Sequence, residues 1–212
     1  MVFYDFARFV DEPALIFKIW QGGMSFHGAL IGVILAMWWF AHSRGRRFFD
    51  VADFVAPLVG PGLAFGRVGN FINGNLWGAP SDLPWAMVFP HPRAGGVPRH
   101  PSQLYEAMLE GVALFVIVWI YSRRPRSTMA VSGVFLLGYG VFRFLIEFVR
   151  VPDEHIGYLA FDWVTMGQVL SAPMIIVGAL FVWLAYRSET TDKTPPTMPA
   201  RARRGGSGER RR

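Results

Sequence analysis

The chain has 212 residues, of which 52% are hydrophobic and only 17% are charged, and its formal net charge is +6. Soluble domains carry about 25% charged residues, so this composition indicates a membrane protein rather than a soluble one. The positive charge lies in short loops and in the final stretch RARRGGSGERRR, which favours a role in membrane topology over nucleic-acid binding. With no cysteine, the chain has no disulfide, thiolate nucleophile or cysteine metal site.

Five apolar stretches follow one another, each close to the ~20 residues that a helix needs to cross ~30 Å of hydrocarbon. They are residues 22–41, 52–72, 103–121, 131–148 and 163–186. None alternates every second residue as a barrel strand would, and an open sheet edge would leave backbone groups unsatisfied in lipid. The sequence therefore predicts an all-α fold, a polytopic integral membrane helix bundle with five transmembrane helices.

The arginine-rich loops predict the orientation. The loops HSRGRRFFD and YSRRPRST and the basic tail fall on one side, which is assigned to the cytoplasm. We predict an amphipathic outer segment at 1–21, a transmembrane bundle at 22–186 with outer loops at 73–102 and 150–162, and a disordered basic tail at 187–212. An outer N-terminus without an export signal suggests that earlier helices are missing, through either a fragment or a misassigned start.

Polar side chains inside apolar stretches are costly in lipid and therefore indicate function. With the orientation above, all of them lie in the outer half of the membrane. They are His27, Arg67, Asn70, Gln103, Glu106, Glu110, Tyr139, Arg143, Glu147 and Gln168. This shared depth predicts one site built from several helices.

Spacing predicts that two of these helices direct an arginine inward at the same level. Intervals of four, four and three residues place one stripe on the fourth helix: Tyr139, Arg143, Glu147 and Arg150. One face of the second helix holds Arg67, Asn70 and Gly74. Below that face, Gly62 and Gly66 form a small-xxx-small pair, which is predicted to let a neighbouring backbone or a ligand approach closely.

Arginines at this depth suit a phosphate, because guanidinium is planar, permanently charged and binds phosphate oxygens bidentately. Arg67 and Arg143, with Asn70 and Asn73 as neutral donors, are predicted to hold an anionic lipid headgroup. A histidine such as His27 suits proton transfer near neutral pH. Simpler interpretations remain open: a structural ion pair on the fourth helix, an arginine extended to the interface, or a glutamate such as Glu106 that only favours the helix dipole.

Five segments resemble a known family. GGMSFHGALIG, GRVGNFINGNLWG, RHPSQLYEAMLEG, GYGVFRFLIEFVR and MGQVLSAPM together resemble the bacterial prolipoprotein diacylglyceryl transferases, in the expected order from about Val2 to Tyr186. The resemblance implies an inner-membrane enzyme of about seven helices. Such enzymes transfer the diacylglyceryl group of phosphatidylglycerol to the thiol of a lipobox cysteine in a preprolipoprotein signal peptide, forming a thioether and releasing glycerol 1-phosphate.

The resemblance also implies which residues act. The positions that match the family's functional residues are His27, Arg67, Asn70, Gly78, Tyr139, Arg143 and Glu147. Two departures occur: Ala29 replaces the family's second glycine after the histidine, and Asn75 stands where many members have glutamate. The family also has an important tyrosine on an earlier helix, and that region is absent from this sequence.

These matches lead to specific expectations for the chemistry. His27 is expected to take the proton of the substrate thiol with Tyr139 assisting, or the two roles are exchanged. Arg67 and Arg143 are expected to hold the phosphate, and Glu147 to fix an arginine. This chemistry implies no metal or organic cofactor, and the outer histidines His91, His100 and His155 lack metal-ligand spacing. The alternative function is a transporter or lipid-binding channel, whose pathway would carry polar residues through its whole depth.

Overall fold

The computed structural model describes residues 26–151 and 164–191, with side chains from Gly28 onward and up to Arg187. The predicted outer segment 1–21, most of the loop 150–162 and residues 192–212 of the predicted tail lie outside these residues, whereas residues 187–191, predicted to begin the disordered tail, belong to the last helix. The predictions for the segments outside these residues therefore stay predictions.

Five helices follow in chain order. They are α1 (Phe26–Ser43), α2 (Phe48–Ile72), α3 (Ser102–Ser122), α4 (Ala130–Ile146) and α5 (Met166–Thr191). Four of them, α2 to α5, are long and apolar enough to cross a membrane. For α4 this length includes the 3₁₀ turn Glu147–Val149 that continues the helix. Helix α1 is a shorter apolar helix. The predicted all-α membrane bundle is confirmed, and each predicted apolar stretch coincides with a helix to within a few residues.

Many large apolar side chains point away from the bundle, among them Phe54, Phe65 and Ile72, each more than 70% exposed. A hydrocarbon environment accommodates such a surface, but it supplies no hydrophobic force that drives helices together. The helices must then be held by close packing and by polar contacts, and the structure shows both.

Helices α2 and α3 approach closely at glycines. A Cβ at Gly60 would lie 2.9 Å from the carbonyl oxygen of Gly111, and a Cβ at Gly111 would lie 2.6 Å from the Cβ of Ala64. The close approach predicted at Gly62 and Gly66 is not found there, since no described residue comes within 4 Å of either Cβ position. The contact lies instead at Gly60 and Ala64, two residues away in sequence and therefore on nearly the opposite face of α2.

The end of α2 also differs from the predicted face. The helix ends at Ile72 with Asn73 as its C-cap, so Gly74 lies beyond it rather than on one face with Arg67. Gly74 has φ +62°, the left-handed conformation that glycine adopts most easily and that commonly terminates helices. The chain then turns back over the end of the bundle that is predicted to be the outer end.

Helices α4 and α5 pack against each other along most of their length. The contact points are Gly133, Gly140 and Gly178, where a Cβ would overlap the facing helix. The start of α4 is fixed by α2, because both carboxylate oxygens of Asp53 accept backbone hydrogen bonds, from Met129 N–H at 2.8 Å and from Ser132 N–H at 2.8 Å. Asp53 thus caps a helix that lies far from it in sequence.

Backbone hydrogen bonds link parts of the loop 73–102, which contains a two-stranded antiparallel sheet, Met87–Val88 with Pro98–Arg99. The Gln103 side chain donates to the carbonyl oxygen of Asn75 at 2.6 Å, and the Ser102 hydroxyl donates to that of Leu76 at 3.1 Å. These bonds tie the segment after α2 to the first turn of α3, where the polar residues predicted from sequence begin.

The α2–α3 contact leads to a first prediction. Gly111→Ala forces a methyl group against the Ala64 backbone, and such overpacking is expected to lower the free energy of unfolding by about 1–3 kcal/mol. Thermal unfolding in detergent micelles measures the effect. Gly62→Ala is the matched control, and it is expected to cause no loss because its Cβ enters open space. Equal losses in the two variants would contradict the close approach.

Candidate functional site

Three arginines and three glutamates meet at the end of the bundle that the sequence predicts to be the outer end. They are Arg67 on α2, Glu106 and Glu110 on α3, Arg143 on α4, Glu147 in the 3₁₀ turn that continues α4, and Arg150 directly after that turn. We call these six residues the charge cluster. Its formal charges cancel, which lets ionised groups remain at this depth.

Glu106 is the shared acceptor of the cluster. Its Oε2 lies 2.9 Å from Arg67 Nε, while its Oε1 accepts from Arg143 Nη1 at 3.0 Å and from Arg150 Nη1 at 3.2 Å. One carboxylate on α3 therefore links α2 to α4 and to the chain after it. The expectation that two helices direct arginines to the same level is confirmed, and Glu106 does much more than favour a helix dipole.

Glu110 lies one turn deeper and is fully buried. Its Oε2 is 3.7 Å from Arg67 Nη2 and its Oε1 is 3.7 Å from Arg143 Nη1, and neither oxygen has a hydrogen-bond partner among the described residues. Glu110 lies in the segment Ala107–Ala113, where α3 is a π-helix, a local widening that is frequent at functional sites. Glu106 and Glu110 both face the same two arginines.

Glu147 fixes Arg143 from the other side. Its Oε2 lies 3.0 Å from Arg143 Nη2 and 3.9 Å from Arg150 Nε. The contact expected from the i,i+4 spacing is present, so Arg143 is held between carboxylates from two helices. The structural ion pair considered from sequence is therefore part of a larger network.

The cluster is layered. The glutamate side chains are 0–6% exposed, whereas those of Arg67, Arg143 and Arg150 are 14–19% exposed. The carboxylates are thus the more deeply buried partners, and the accessible part of the cluster belongs mostly to the arginine side chains. Each guanidinium carries five N–H groups, more than its carboxylate contacts occupy. This arrangement can bind an anion without first breaking the network.

The other predicted site residues are placed in different ways. Tyr139 is half-buried, stacks on Phe135 at 6.2 Å between ring centroids, and has Glu110 and Arg143 as charged neighbours. Asn70 and Asn73 lie at the end of α2, and neither side chain makes a hydrogen bond within the described part of the chain. The backbone of His27 belongs to α1, but its side chain is outside the described residues.

Gly78 forms a packing junction. It pairs with Arg150 in an isolated β-bridge, and its N–H donates to the carbonyl oxygen of His100 at 2.9 Å. A Cβ at Gly78 would lie 2.5 Å from the carbonyl oxygen of Val149 and 2.7 Å from the Cβ of His100. Any side chain here would push the loop away from the segment that carries Arg150.

Three cluster members were given no catalytic or substrate-binding role from the sequence: Glu106, Glu110 and Arg150. Signals for them were present in the sequence, since the two glutamates lie four residues apart in an apolar stretch and Arg150 continues the stripe of Arg143 and Glu147. What the sequence lacked was evidence that they contact the arginines.

An apolar groove of about 530 Å³ runs beside the cluster between α2 and α3. Its walls include Ala64 and Val68, which flank Arg67 in sequence, and Ala107 and Gly111, which flank the two glutamates. The site thus combines a charged end with an adjoining apolar surface, which suits a molecule with a phosphate and a hydrocarbon chain.

The shared carboxylate leads to a second prediction. Glu106→Gln removes the negative charge that three guanidinium groups share. Because losing one partner of a buried ion pair leaves the other charge uncompensated, the free energy of unfolding is expected to fall by about 3–5 kcal/mol. Thermal unfolding in detergent measures the loss. Asp82→Asn, on the exposed part of the outer loop, is the control and is expected to change stability by less than about 0.5 kcal/mol. Similar unfolding of both variants would contradict the central role of Glu106.

Comparison with known proteins places this site in a family. The family model of prolipoprotein diacylglyceryl transferase matches residues 1–184. A protein of Methylococcus capsulatus named phosphatidylglycerol–prolipoprotein diacylglyceryl transferase is 63% identical over 185 residues, which cover 87% of this chain and 70% of that protein. A Pseudomonas fluorescens protein of the same name is 60% identical over 187 residues, which cover 88% of this chain and 70% of that protein. This chain belongs to the prolipoprotein diacylglyceryl transferase family.

Proposed function

We propose that this protein transfers the diacylglyceryl group of phosphatidylglycerol to the cysteine thiol of a preprolipoprotein. The observation that carries the proposal is the layered charge cluster, in which Arg67 and Arg143 converge on buried glutamates and present guanidinium groups outward. An apolar groove adjoins it. The family relatives carry the name of this reaction.

The cluster suits a phosphate that gains charge during a reaction. Glu106 and Glu147 hold the arginines in place before substrate arrives, so little reorganisation is needed when the anion enters. The remaining N–H groups of Arg67 and Arg143 bind the phosphate oxygens. Because the site lies within the membrane, where the dielectric constant is low, each of these contacts is stronger than in water.

The reaction is a displacement at carbon. The thiolate sulfur of the lipobox cysteine attacks the glyceryl carbon that bears the phosphate ester, a C–S bond forms, and the C–O bond to phosphate breaks. The electron pair of that bond leaves with glycerol 1-phosphate, whose growing charge is stabilised by Arg67 and Arg143. The nucleophile belongs to the substrate, which agrees with a transferase that has no cysteine of its own.

Proton transfer is assigned to the residues that match the family pattern. His27 accepts the proton of the substrate thiol and Tyr139 orients or assists it. Asn70 and Asn73 are neutral donors to the headgroup from the end of α2. Gly78 contributes to the same site through the backbone contact that holds Arg150. No cofactor enters this scheme.

The location follows from the same assignment. We place the protein in the bacterial inner membrane as a multi-pass enzyme, with the charge cluster in the periplasmic leaflet and the basic loops in the cytoplasm. Phosphatidylglycerol then enters from the bilayer with its chains along the apolar groove, and the lipobox of the signal peptide reaches the site from the same membrane.

A transporter would need polar residues through the full depth of the membrane. In the described residues, the buried polar side chains belong to the outer end of the bundle: Ser102, Gln103, Glu106, Glu110, Glu147, Thr165, Gln168 and Ser171. Toward the other end, the buried positions are apolar, including Ala56, Leu114, Val118 and Val131. This distribution favours a site that opens to one leaflet.

The phosphate assignment is tested by conservative substitution. Arg67→Lys and Arg143→Lys keep the charge but lose the bidentate geometry, and each is expected to lower transfer from phosphatidylglycerol to a lipobox peptide by about 10²–10³-fold. A mobility shift of the peptide measures the rate. Arg93→Lys, in the exposed outer loop, is the control and is expected to keep the wild-type rate. Wild-type rates in both cluster variants would refute the assignment.

The choice of base is tested separately. His27→Gln is expected to lower kcat by about 10²–10⁴-fold while the KM for phosphatidylglycerol changes little, because general-base catalysis acts on turnover. Tyr139→Phe, which keeps the ring against Phe135, is expected to lower kcat less. A larger loss in Tyr139→Phe than in His27→Gln would exchange the two roles.

A further inference from the structure

The carboxylate of Glu147 packs directly against the first turn of α5. A Cβ at Gly167 would lie 2.6 Å from each carboxylate oxygen of Glu147 and 2.5 Å from its Cδ. The space that any other residue would fill with its side chain is therefore occupied by the carboxylate that holds Arg143.

The position of Gly167 is fixed by its own helix. Thr165 N–H donates to Gln168 Oε1 at 3.1 Å, and Gln168 N–H donates to the Thr165 hydroxyl at 3.3 Å. These reciprocal bonds form a capping box, and both side chains are buried. Below it, α5 packs tightly on α4, where Gly140 contacts Ile175. The start of α5 therefore has little freedom to move away from Glu147.

The Glu147 side chain, on the other side of this contact, can move more easily than the start of α5. What faces Gly167 is the end of a flexible side chain, whereas Gly178, further along α5, faces the backbone of Leu137. A methyl group at Gly167 would displace the Glu147 carboxylate and leave the helix packing intact. A methyl group at Gly178 would have to move the backbone itself.

We propose that Gly167 is a positioning residue for Arg143. Because it has no side chain, it lets Glu147 occupy the space between α5 and Arg143 Nη2, and this sets the guanidinium at its 3.0 Å contact. The capping box fixes the start of α5, Glu147 packs against it and contacts Arg143, and Arg143 binds the substrate phosphate. The inference rests on the proposed function, in which Arg143 binds the phosphate.

The positioning role predicts different effects of a Gly167 substitution on stability and on activity. Alanine favours a helix over glycine, and the Glu147 side chain can move aside, so Gly167→Ala is expected to keep or raise stability. The positioning role predicts that the same variant loses activity because Arg143 is misplaced. A residue important only for folding would lose both together.

The experiment measures transfer from phosphatidylglycerol to a lipobox peptide alongside thermal unfolding. Gly167→Ala is expected to unfold within about 2 °C of wild type, while its kcat/KM falls at least about 10-fold, mainly through a higher KM for phosphatidylglycerol. Gly178→Ala is the opposite control and is expected to lower the unfolding temperature with the rate per folded molecule unchanged. Wild-type kcat/KM in Gly167→Ala would overturn the proposal.

A compensating pair makes the test specific. Glu147→Asp withdraws the carboxylate by one methylene, about 1.5 Å, which makes room for a methyl group at position 167. Each single variant is expected to lose activity, and Gly167→Ala with Glu147→Asp is expected to lose less than the product of the two losses. Independent, multiplicative losses would contradict the contact. Lack of transfer by the wild-type protein would instead refute the proposed function, so the two failures are distinguishable.

Discussion

The Glu106 carboxylate holds the outer end of this bundle together, because guanidinium groups from α2, from α4 and from the chain after α4 all contact its two oxygens. A single carboxylate or a single arginine at this depth would be costly in lipid. Their pairing removes much of that cost and fixes three separate segments at one point. The formal charges of the cluster balance before any substrate enters, so no bound anion is needed to hold the arginines together.

Residues without side chains set the distances at which these long side chains meet. Gly60 and Gly111 bring α2 close enough to α3 for Arg67 to reach the glutamates, and Gly133 and Gly178 bring α4 close to α5. In lipid, where burial of apolar surface does not drive helix association, such close backbone contact supplies much of the attraction. The polar contacts at one end and the glycine contacts along the helices therefore both contribute to holding the bundle together.

The chemistry of the site matches an amphiphilic substrate. Partly exposed arginine side chains contact buried carboxylates, and an apolar groove adjoins them between α2 and α3. A phospholipid needs both features, since its phosphate requires donors and its chains require a surface continuous with the membrane. The protein contributes binding, orientation and charge stabilisation, and the thiol that reacts comes from the protein substrate.

The sequence by itself determined the membrane class, the helices and the shared depth of Arg67, Arg143 and Glu147, because hydropathy and helical spacing are local properties. The i,i+4 contact of Arg143 with Glu147 was predictable for the same reason. The family motifs added the reaction. The sequence did not determine how each helix is rotated about its axis, because the lipid-facing and the buried faces of a membrane helix are both apolar.

The tertiary structure sets the rotation of each helix about its axis, and that rotation determined the remaining helix contacts. It placed the α2–α3 contact at Gly60 and Gly111 instead of at Gly62 and Gly66. It also turned Glu106 toward Arg143 and Arg150, which lie 37 and 44 residues away along the chain. Pairings over such separations depend on the tertiary packing of whole helices, and no local pattern specifies them.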